Sequence, residues 1–233
     1  MQLVSRYSLP TVAQRGTDNT LSISVYDGDT DSVLVPTSGT LTLYDGSELV
    51  LDAVVIVPGP TSTYQWLAAA TADRSLSEHL ELVWTLVIAG VTYDVQQPGY
   101  LVRRKLYPVI TDSDLRSYHT ELDDLRDPAF PSFSRQRAEA WIIVQKHLLQ
   151  KGRYPHLVLD PWSLRSIHIF ECFRIIFRDA AQSVGDDRYS ALVEEYTNLA
   201  NLEWGRTDFR YDSDEDGYID DDSRSAYPVI YLA

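Results

Sequence analysis

The residues best suited to chemistry lie near the end of the chain, in the acidic stretch DFRYDSDEDGYIDDDSR. Carboxylates on alternate residues direct their oxygens toward one point, and a glycine at the sixth position permits the sharp reversal of a calcium loop. The spacing therefore predicts a turn that holds a hard cation, with Ca²⁺ the best match. Counted as a twelve-residue calcium loop, the ligand positions are Asp212, Asp214, Asp216, the Tyr218 carbonyl and Asp220.

The same stretch departs from a regular calcium loop in two ways. Its twelfth position, normally a bidentate glutamate, is Ser223, for which Asp221 or Asp222 would have to substitute. The incoming segment Phe209-Arg210-Tyr211 follows a predicted helix end, so a helix-loop-helix arrangement is not indicated. A solvated acidic turn, balanced by nearby arginines, is the alternative interpretation, and the sequence leaves both open.

No combination of residues elsewhere predicts catalysis. The motifs GxGxxG, Walker A, HExxH and GxSxG are absent from the sequence. Cys172 is flanked by Phe170 and Phe173, which is typical of a buried neutral thiol. The histidines show no metal-ligand spacing; they are His79, His119, His147, His156 and His168. We therefore expect a protein that is not an enzyme.

Charge and composition exclude several function classes. The chain has 233 residues, enough for one large core or two ordinary ones, and a formal net charge of −14. Such a charge disfavours nucleic-acid binding, which needs a basic face. The opening MQLVSRYSLP lacks the apolar segment of a signal peptide, and no apolar run is long enough to span a bilayer. With a single cysteine, we expect a soluble protein made in a reducing compartment.

Residues 1–105 are predicted to form an antiparallel β-sandwich of immunoglobulin-like size. Short runs rich in valine, leucine, threonine and tyrosine alternate with turn signals. Asp45-Gly46 and Ala89-Gly90 are typical of tight hairpins, the former of a type I′ turn. One face of a predicted strand is apolar at every second residue: Leu80, Leu82, Trp84, Leu86 and Ile88.

Residues 106–206 are predicted to form an antiparallel helical bundle, which makes the fold class α+β with two domains. Four helices are expected. The first is opened by the capping box Thr111–Asp114 and runs to about Leu125, and the second is capped by Ser134 and ended by Gly152. The third runs from Asp160 and Pro161 to about Val184, and the fourth is capped by Asp186 and runs to Gly205. The third is the most apolar, so we expect it at the centre of the bundle.

Residues 207–233 are predicted to comprise the acidic turn and an extended C-terminal arm. Pro228 stiffens the arm, and alternate side chains of an extended segment can enter pockets on a partner. The predicted partner-binding residues are Tyr227, Pro228, Val229, Ile230, Tyr231 and Leu232.

From about residue 106 onward, the chain resembles the head-to-tail adaptor (head-completion or connector) proteins of tailed bacteriophages. The resemblance rests on the opening LYPVITDSDLRSY, the amphipathic helices, the closing DFRYDSDEDGYIDDDSR and the apolar arm. Many such adaptors begin their bundle with a phrase similar to ITDADL and end with a DxDxDG-like turn. The smallest are helical alone, so residues 1–105 look like an added β-domain.

The resemblance implies a role in virion assembly. Such adaptors form a ring, commonly a dodecamer, between the portal and the tail or stopper proteins, and DNA passes through without specific binding. In this sequence the arm from Tyr227 to Leu232 would reach the portal protein. The expected location is the capsid–tail junction of the virion, with the host cytoplasm during assembly, and no membrane is involved.

A calcium-dependent glycan- or receptor-binding module of a virion or tail is the second interpretation. Trp66, Tyr64 and Tyr93 would then form a sugar-stacking platform on the β-sandwich. The helical part of the chain, which such modules rarely carry, counts against it. An enzyme is a third interpretation, without a nucleophile or a paired acid and base to support it.

Overall fold

A computed structural model describes residues 3–5, 9–126, 130–184, 187–207, 210–214 and 218. The fold is mixed α+β. The chain divides into two compact units between Lys105 and Leu106, and each unit is described by itself. No helix within the described ranges has both the length and the apolar character needed to cross a bilayer.

The described residues of the first unit form three sheets. The largest has the strand order β2-β10-β9-β6-β7, and the smaller ones have the orders β1-β4-β5 and β3-β8. The strands are β1 (Leu3–Ser5), β2 (Thr11–Gln14), β3 (Asn19–Ile23), β4 (Val25–Asp27), β5 (Val33–Leu34), β6 (Ser38–Asp45), β7 (Glu48–Val55), β8 (Ser62–Trp66), β9 (Ser77–Ile88) and β10 (Val91–Val102), with a short helix α1 (Ala68–Thr71) before β9. Antiparallel pairing is confirmed except between β2 and β10, which run parallel.

The alternating pattern of β9 is confirmed, because its five predicted core side chains are all buried. Ala89 and Gly90 both have positive φ, 50° and 80°, as a type I′ turn requires. The other hairpin differs from the prediction by one residue. Asp45 still pairs with Glu48, so the loop is Gly46-Ser47, and of these two only Gly46 has positive φ. The turn is therefore not type I′.

The predicted sugar-stacking platform is wrong. Trp66 is 1% exposed and belongs to the core of the first unit, so its ring cannot stack on a ligand in solvent. Tyr64 and Tyr93 are partly buried against the same core. Trp84 is fully buried, as predicted, and its Nε1–H donates a hydrogen bond of 3.2 Å to the side chain of Gln97.

The second unit is helical. Its α-helices are α2 (Asp112–Tyr118), α3 (Ser134–Gln150), α4 (Arg165–Val184) and α5 (Asp187–Arg206), with 3-10 turns at Leu122–Leu125, Pro155–Leu157 and Pro161–Leu164. Helix α4 contacts α2, α3 and α5, which confirms its predicted central position. Its apolar residues from Ile167 to Phe177 are almost completely buried, apart from Phe170, which is partly buried.

The predicted helix boundaries hold with small shifts, except that the first helix, predicted to reach about Leu125, ends at Tyr118 and is followed by a separate 3-10 turn. The predicted cap Asp186 lies outside the described residues. Ser134 is the first residue of α3 and not its cap, because Phe133 occupies the cap position without a side-chain hydrogen bond. Gly152 has a φ of 71°, and its N–H donates to the carbonyl of Leu149, so it ends α3 as predicted. Asp160 caps the 3-10 turn before α4 through the N–H of Trp162.

Candidate partner-binding site

The acidic C-terminal segment begins at a fixed point of the helical unit. Residues 210–212 run beside residues 157–159 as a short antiparallel ladder. The Leu159 N–H donates to the carbonyl of Arg210 at 2.9 Å. The Asp212 N–H donates to the carbonyl of Leu157 at 3.0 Å. Because both hydrogen bonds involve the backbone, the direction of the chain is set at this point.

The side chain of Tyr211 stabilises this ladder. We call the ladder together with the Tyr211 side chain the Tyr211 anchor. Tyr211 is 9% exposed, and its Oη accepts a hydrogen bond of 2.9 Å from the N–H of Tyr154. The guanidinium of Arg153 lies 5.1 Å from the centre of the Tyr211 ring. The ring belongs to a separate apolar cluster with Trp141, Val144, Leu148, Leu157, Val158, Leu164 and Ile167.

The sequence of the loop after α3 explains why it can receive Tyr211. The positive φ of Gly152 reverses the chain at the end of α3. The reversal brings Arg153 and Tyr154 back toward the apolar cluster, and Pro155 opens the following 3-10 turn. The sequence pattern predicted the helix end at Gly152. It gave no signal that Tyr211 would pack there, because the two segments are far apart in the chain.

Part of the predicted cation loop lies in the described residues. Asp212 is 4% exposed, whereas Asp214 and Tyr218 are exposed. Asp216 and Asp220 lie outside the described residues. No group of three or more histidine, cysteine, aspartate or glutamate side chains among the described residues is placed to hold a metal ion. The described donors therefore do not make up a calcium site, and calcium binding stays a prediction for the complete loop.

The predicted partner-binding residues from Tyr227 to Leu232 lie outside the described residues as well. What the structure defines is the point from which they follow in the chain. The chain after Asp212 starts from a backbone position that is hydrogen-bonded to the helical unit.

The start of the helical unit is fixed by an ionic contact that joins two helices. The predicted capping box is confirmed: the Thr111 side chain accepts from the Asp114 N–H, and the Asp114 carboxylate accepts from the Thr111 N–H at 2.6 Å. The other oxygen of Asp114 accepts a hydrogen bond of 2.7 Å from Arg165 at the start of α4. Burial acts to raise the pKa of Asp114, but the hydrogen bonds from Arg165 and Thr111 outweigh it and lower the pKa.

A second carboxylate of the same turn contacts α3. Asp112 lies 2.8 Å from the guanidinium of Arg137 and accepts a hydrogen bond of 3.2 Å from the Phe133 N–H. Arg137 also donates to the carbonyl of Ile110 at 3.0 Å. The phrase ITDSDL thus ties the first turn of α2 to both α3 and α4. Sequence analysis found the capping box and missed the two arginines, which are distant in the chain.

Three buried titratable groups of the helical unit have a pKa shifted toward the neutral form. Burial raises the pKa of Cys172 to about 12. Burial lowers the pKa of His168 to about 4, although a hydrogen bond to the carbonyl of Arg137 acts in the opposite direction. The same cause lowers the pKa of His156 to about 4. None of these three groups has a pKa near the working pH, as a nucleophile or a general base needs.

Comparison with known proteins adds no family assignment: no protein-family model matches the chain, and no curated protein matches it significantly.

Proposed function

We propose that this protein is a structural adaptor of a tailed-phage virion. Several copies form a ring that joins the portal to the tail or stopper proteins and lets DNA pass. In each copy the arm from Tyr227 to Leu232 binds the portal protein. We further propose that the first unit is a β-sandwich and the second an antiparallel bundle, as in an adaptor with an added β-domain.

The Tyr211 anchor is the observation that carries the proposal. A segment that starts from a fixed point of its subunit searches a smaller volume for its partner, which reduces the entropy lost on binding. In this chain the acidic segment starts from a buried tyrosine and two backbone hydrogen bonds. The apolar residues 226–233 follow it in the sequence.

The contacts of Asp112 and Asp114 at the start of the helical unit, which we call the clamp, agree with the same function. Asp112 and Asp114 tie the first turn of α2 to Arg137 and Arg165. The aspartates of ITDSDL therefore have a structural role. This stretch is one of those on which the resemblance to phage adaptors rests.

The repetition of the arm in a ring and the negative charge of the chain also support a role in assembly. A ring presents several arms at once, so that weak individual contacts give durable attachment. The net charge of −14 disfavours adhesion of DNA to the protein. Passage of DNA through a ring requires that it slide without being held.

Electron microscopy of the purified protein mixed with portal particles, assembled from the portal protein of the same genome, tests this function. The proposal predicts a ring of additional density at one pole of the portal. Portal particles that remain bare at every protein concentration would contradict it.

A further inference from the structure

The first unit carries a group of basic residues, although the formal net charge of the chain is −14. Strands β2 and β10 run parallel, and their last pair joins Gln14 to Val102. Because both strands run in the same direction, the residues that follow them leave the sheet at the same edge. Four of the six lysine and arginine residues in 1–105 follow these two strand ends. We call them the basic patch: Arg15, Arg103, Arg104 and Lys105.

Hydrogen bonds hold the two segments of the basic patch together. The Arg15 N–H donates to the carbonyl of Val102 at 2.9 Å. In the other direction, the Lys105 N–H donates to the side chain of Gln14 at 3.3 Å. The Arg15 guanidinium donates to the carbonyl of Arg74 at 3.3 Å. The basic patch is therefore a defined part of the folded first unit.

The charge of the basic patch is available to a ligand. Arg103 and Arg104 are exposed, and Lys105 is partly buried. Neither Arg104 nor Lys105 forms an ion pair with any residue that the structure describes. Burial lowers the pKa of Lys105, and no described carboxylate acts against this shift. A partly buried ammonium without a counter-charge is stabilised when an anion approaches it.

The carboxylates in the neighbouring loops have other contacts. Asp18, in the loop after β2, accepts a hydrogen bond of 2.7 Å from the Ala68 N–H. Glu48 is paired with Arg74 at 3.3 Å. Even when Asp18 is counted with it, the basic patch has a net positive charge.

The same chain contains a segment of complementary charge. Residues 214–222 include six carboxylates and no lysine or arginine. They follow Asp212, whose N–H is hydrogen-bonded to the helical unit. Two copies that each carry a charge of −14 repel one another, so a stable contact between them needs a place where opposite charges meet. The basic patch and residues 214–222 provide such a pair.

We propose that the basic patch of one copy binds residues 214–222 of a neighbouring copy. Arginine and lysine form charge-assisted hydrogen bonds with carboxylates. Duplex DNA is a poorer match, because the patch is small and the rest of the chain is strongly negative. The two surfaces in contact are different, so the contact is head-to-tail and can repeat around a ring. This inference rests on the proposed ring and adds the contact that joins its subunits.

Cross-linking of the full chain with a carbodiimide, which joins a lysine amine directly to a carboxylate, tests this contact. The lysines of the chain are Lys105, Lys146 and Lys151, and Arg104→Lys adds an exposed amine to the basic patch without changing its charge. Isotope-labelled and unlabelled copies of this variant are mixed, cross-linked at physiological salt and analysed by mass spectrometry. We expect peptides that join the patch of a labelled copy to residues 214–222 of an unlabelled one.

This readout is independent of the portal. It is measured with and without portal particles, so a failure of portal binding leaves the contact between copies testable. Lys146 and Lys151 lie on the helical unit and are internal controls in the same sample. They are expected to give few cross-links to residues 214–222.

Matched variants in the Arg104→Lys chain establish which charge is responsible. Arg103→Glu is expected to lower the yield of cross-links between copies by about fivefold or more, because like charges then face each other. The control is Arg206→Glu, which makes the same change of charge at an exposed position of α5 and is expected to change the yield by less than about twofold. Circular dichroism verifies that both variants fold.

Four results would overturn the proposal. One is the absence of cross-links from the basic patch to residues 214–222. Another is their occurrence only within single copies, since the segment would then bind its own chain. The third is an equal loss of yield in Arg103→Glu and Arg206→Glu. The last is retention of a short DNA duplex by the unchanged protein and not by Arg103→Glu, which would make nucleic acid the ligand of the patch.

Discussion

The backbone N–H of Tyr154 donates a hydrogen bond of 2.9 Å to the hydroxyl of Tyr211. This contact joins the loop after α3 to the first residues of the acidic C-terminal segment. The donor is a backbone group in a partly buried position, so loss of its acceptor leaves an N–H without a partner. We therefore expect the Tyr211 anchor to affect the stability of the helical unit as well as the attachment of the acidic segment.

Replacement of Tyr211 by phenylalanine removes the hydroxyl and keeps the ring. We expect the free energy of unfolding of the helical unit to fall by about 1–2 kcal/mol, because the Tyr154 N–H loses its acceptor. Urea unfolding followed by circular dichroism at 222 nm measures it. Tyr107→Phe is the matched control, since Tyr107 is 49% exposed and its hydroxyl has no hydrogen bond among the described residues. Equal stability of the two variants would contradict the anchor.

Replacement of Asp114 by alanine removes the carboxylate half of the capping box and the contact with Arg165, while the N-cap hydrogen bond of Thr111 stays. We expect a loss of about 1–3 kcal/mol, since the carboxylate no longer accepts from the Thr111 N–H and one partly buried charged hydrogen bond disappears as well. Thermal unfolding measures the loss. Ser113→Ala, in the same helical turn and exposed, is expected to change stability by less than 0.5 kcal/mol, about the effect of an ordinary surface substitution. A loss of similar size in both variants would mean that the clamp contributes nothing specific.

The stability of the helical unit should fall as the pH is lowered from about 6.5 toward 4. Burial lowers the pKa of His168 to about 4 in the folded state, whereas a histidine in the unfolded chain titrates near 6.5. Between these values the unfolded chain binds a proton that the folded chain does not. The free energy of unfolding therefore decreases by up to about 1.4 kcal/mol per pH unit for each such histidine.

His168→Gln isolates this contribution. The variant is expected to show a shallower dependence of unfolding free energy on pH between 6.5 and 4, even though its stability at pH 7 is lower. Denaturant titrations at a series of pH values provide the measurement. His79→Gln, at an exposed position in β9, should keep the wild-type slope. An unchanged slope in His168→Gln would refute this origin of the pH dependence.

Local patterns were sufficient to predict most elements of the fold. The alternation from Leu80 to Ile88, the turn at Ala89-Gly90 and the capping box at Thr111 depend on neighbouring residues only, and all three are confirmed. Where an element depends on a distant partner, no local pattern predicts it. The parallel pairing of β2 with β10 is one case, because a short strand carries no local signal of its direction.

The candidate site was likewise predictable only where it depends on neighbouring residues. The acidic spacing from Asp212 onward was visible in the sequence, whereas the packing of Tyr211 against Tyr154 was not, since it joins segments separated by the whole of α4 and α5. Trp66 illustrates the opposite error. It was predicted to form a sugar-stacking platform with Tyr64 and Tyr93, but its ring fills the core of the first unit.

The two compact units should fold separately when the chain is divided after Lys105. Each has its own apolar cluster. Residues 1–105 are expected to give a circular dichroism spectrum typical of β-structure and residues 106–233 a helical one, each with a cooperative thermal transition. Aggregation or a featureless unfolded spectrum of both halves would contradict the boundary.

The central claim is that the C-terminal arm, which follows the Tyr211 anchor in the chain, binds the portal. Co-sedimentation with portal particles, comparing the full chain with a chain that ends at Arg224, tests it most directly. We predict that the shortened protein keeps the helical spectrum and the unfolding temperature of the full chain and no longer sediments with the portal. Undiminished sedimentation of the shortened protein, or its failure to fold, would contradict the account.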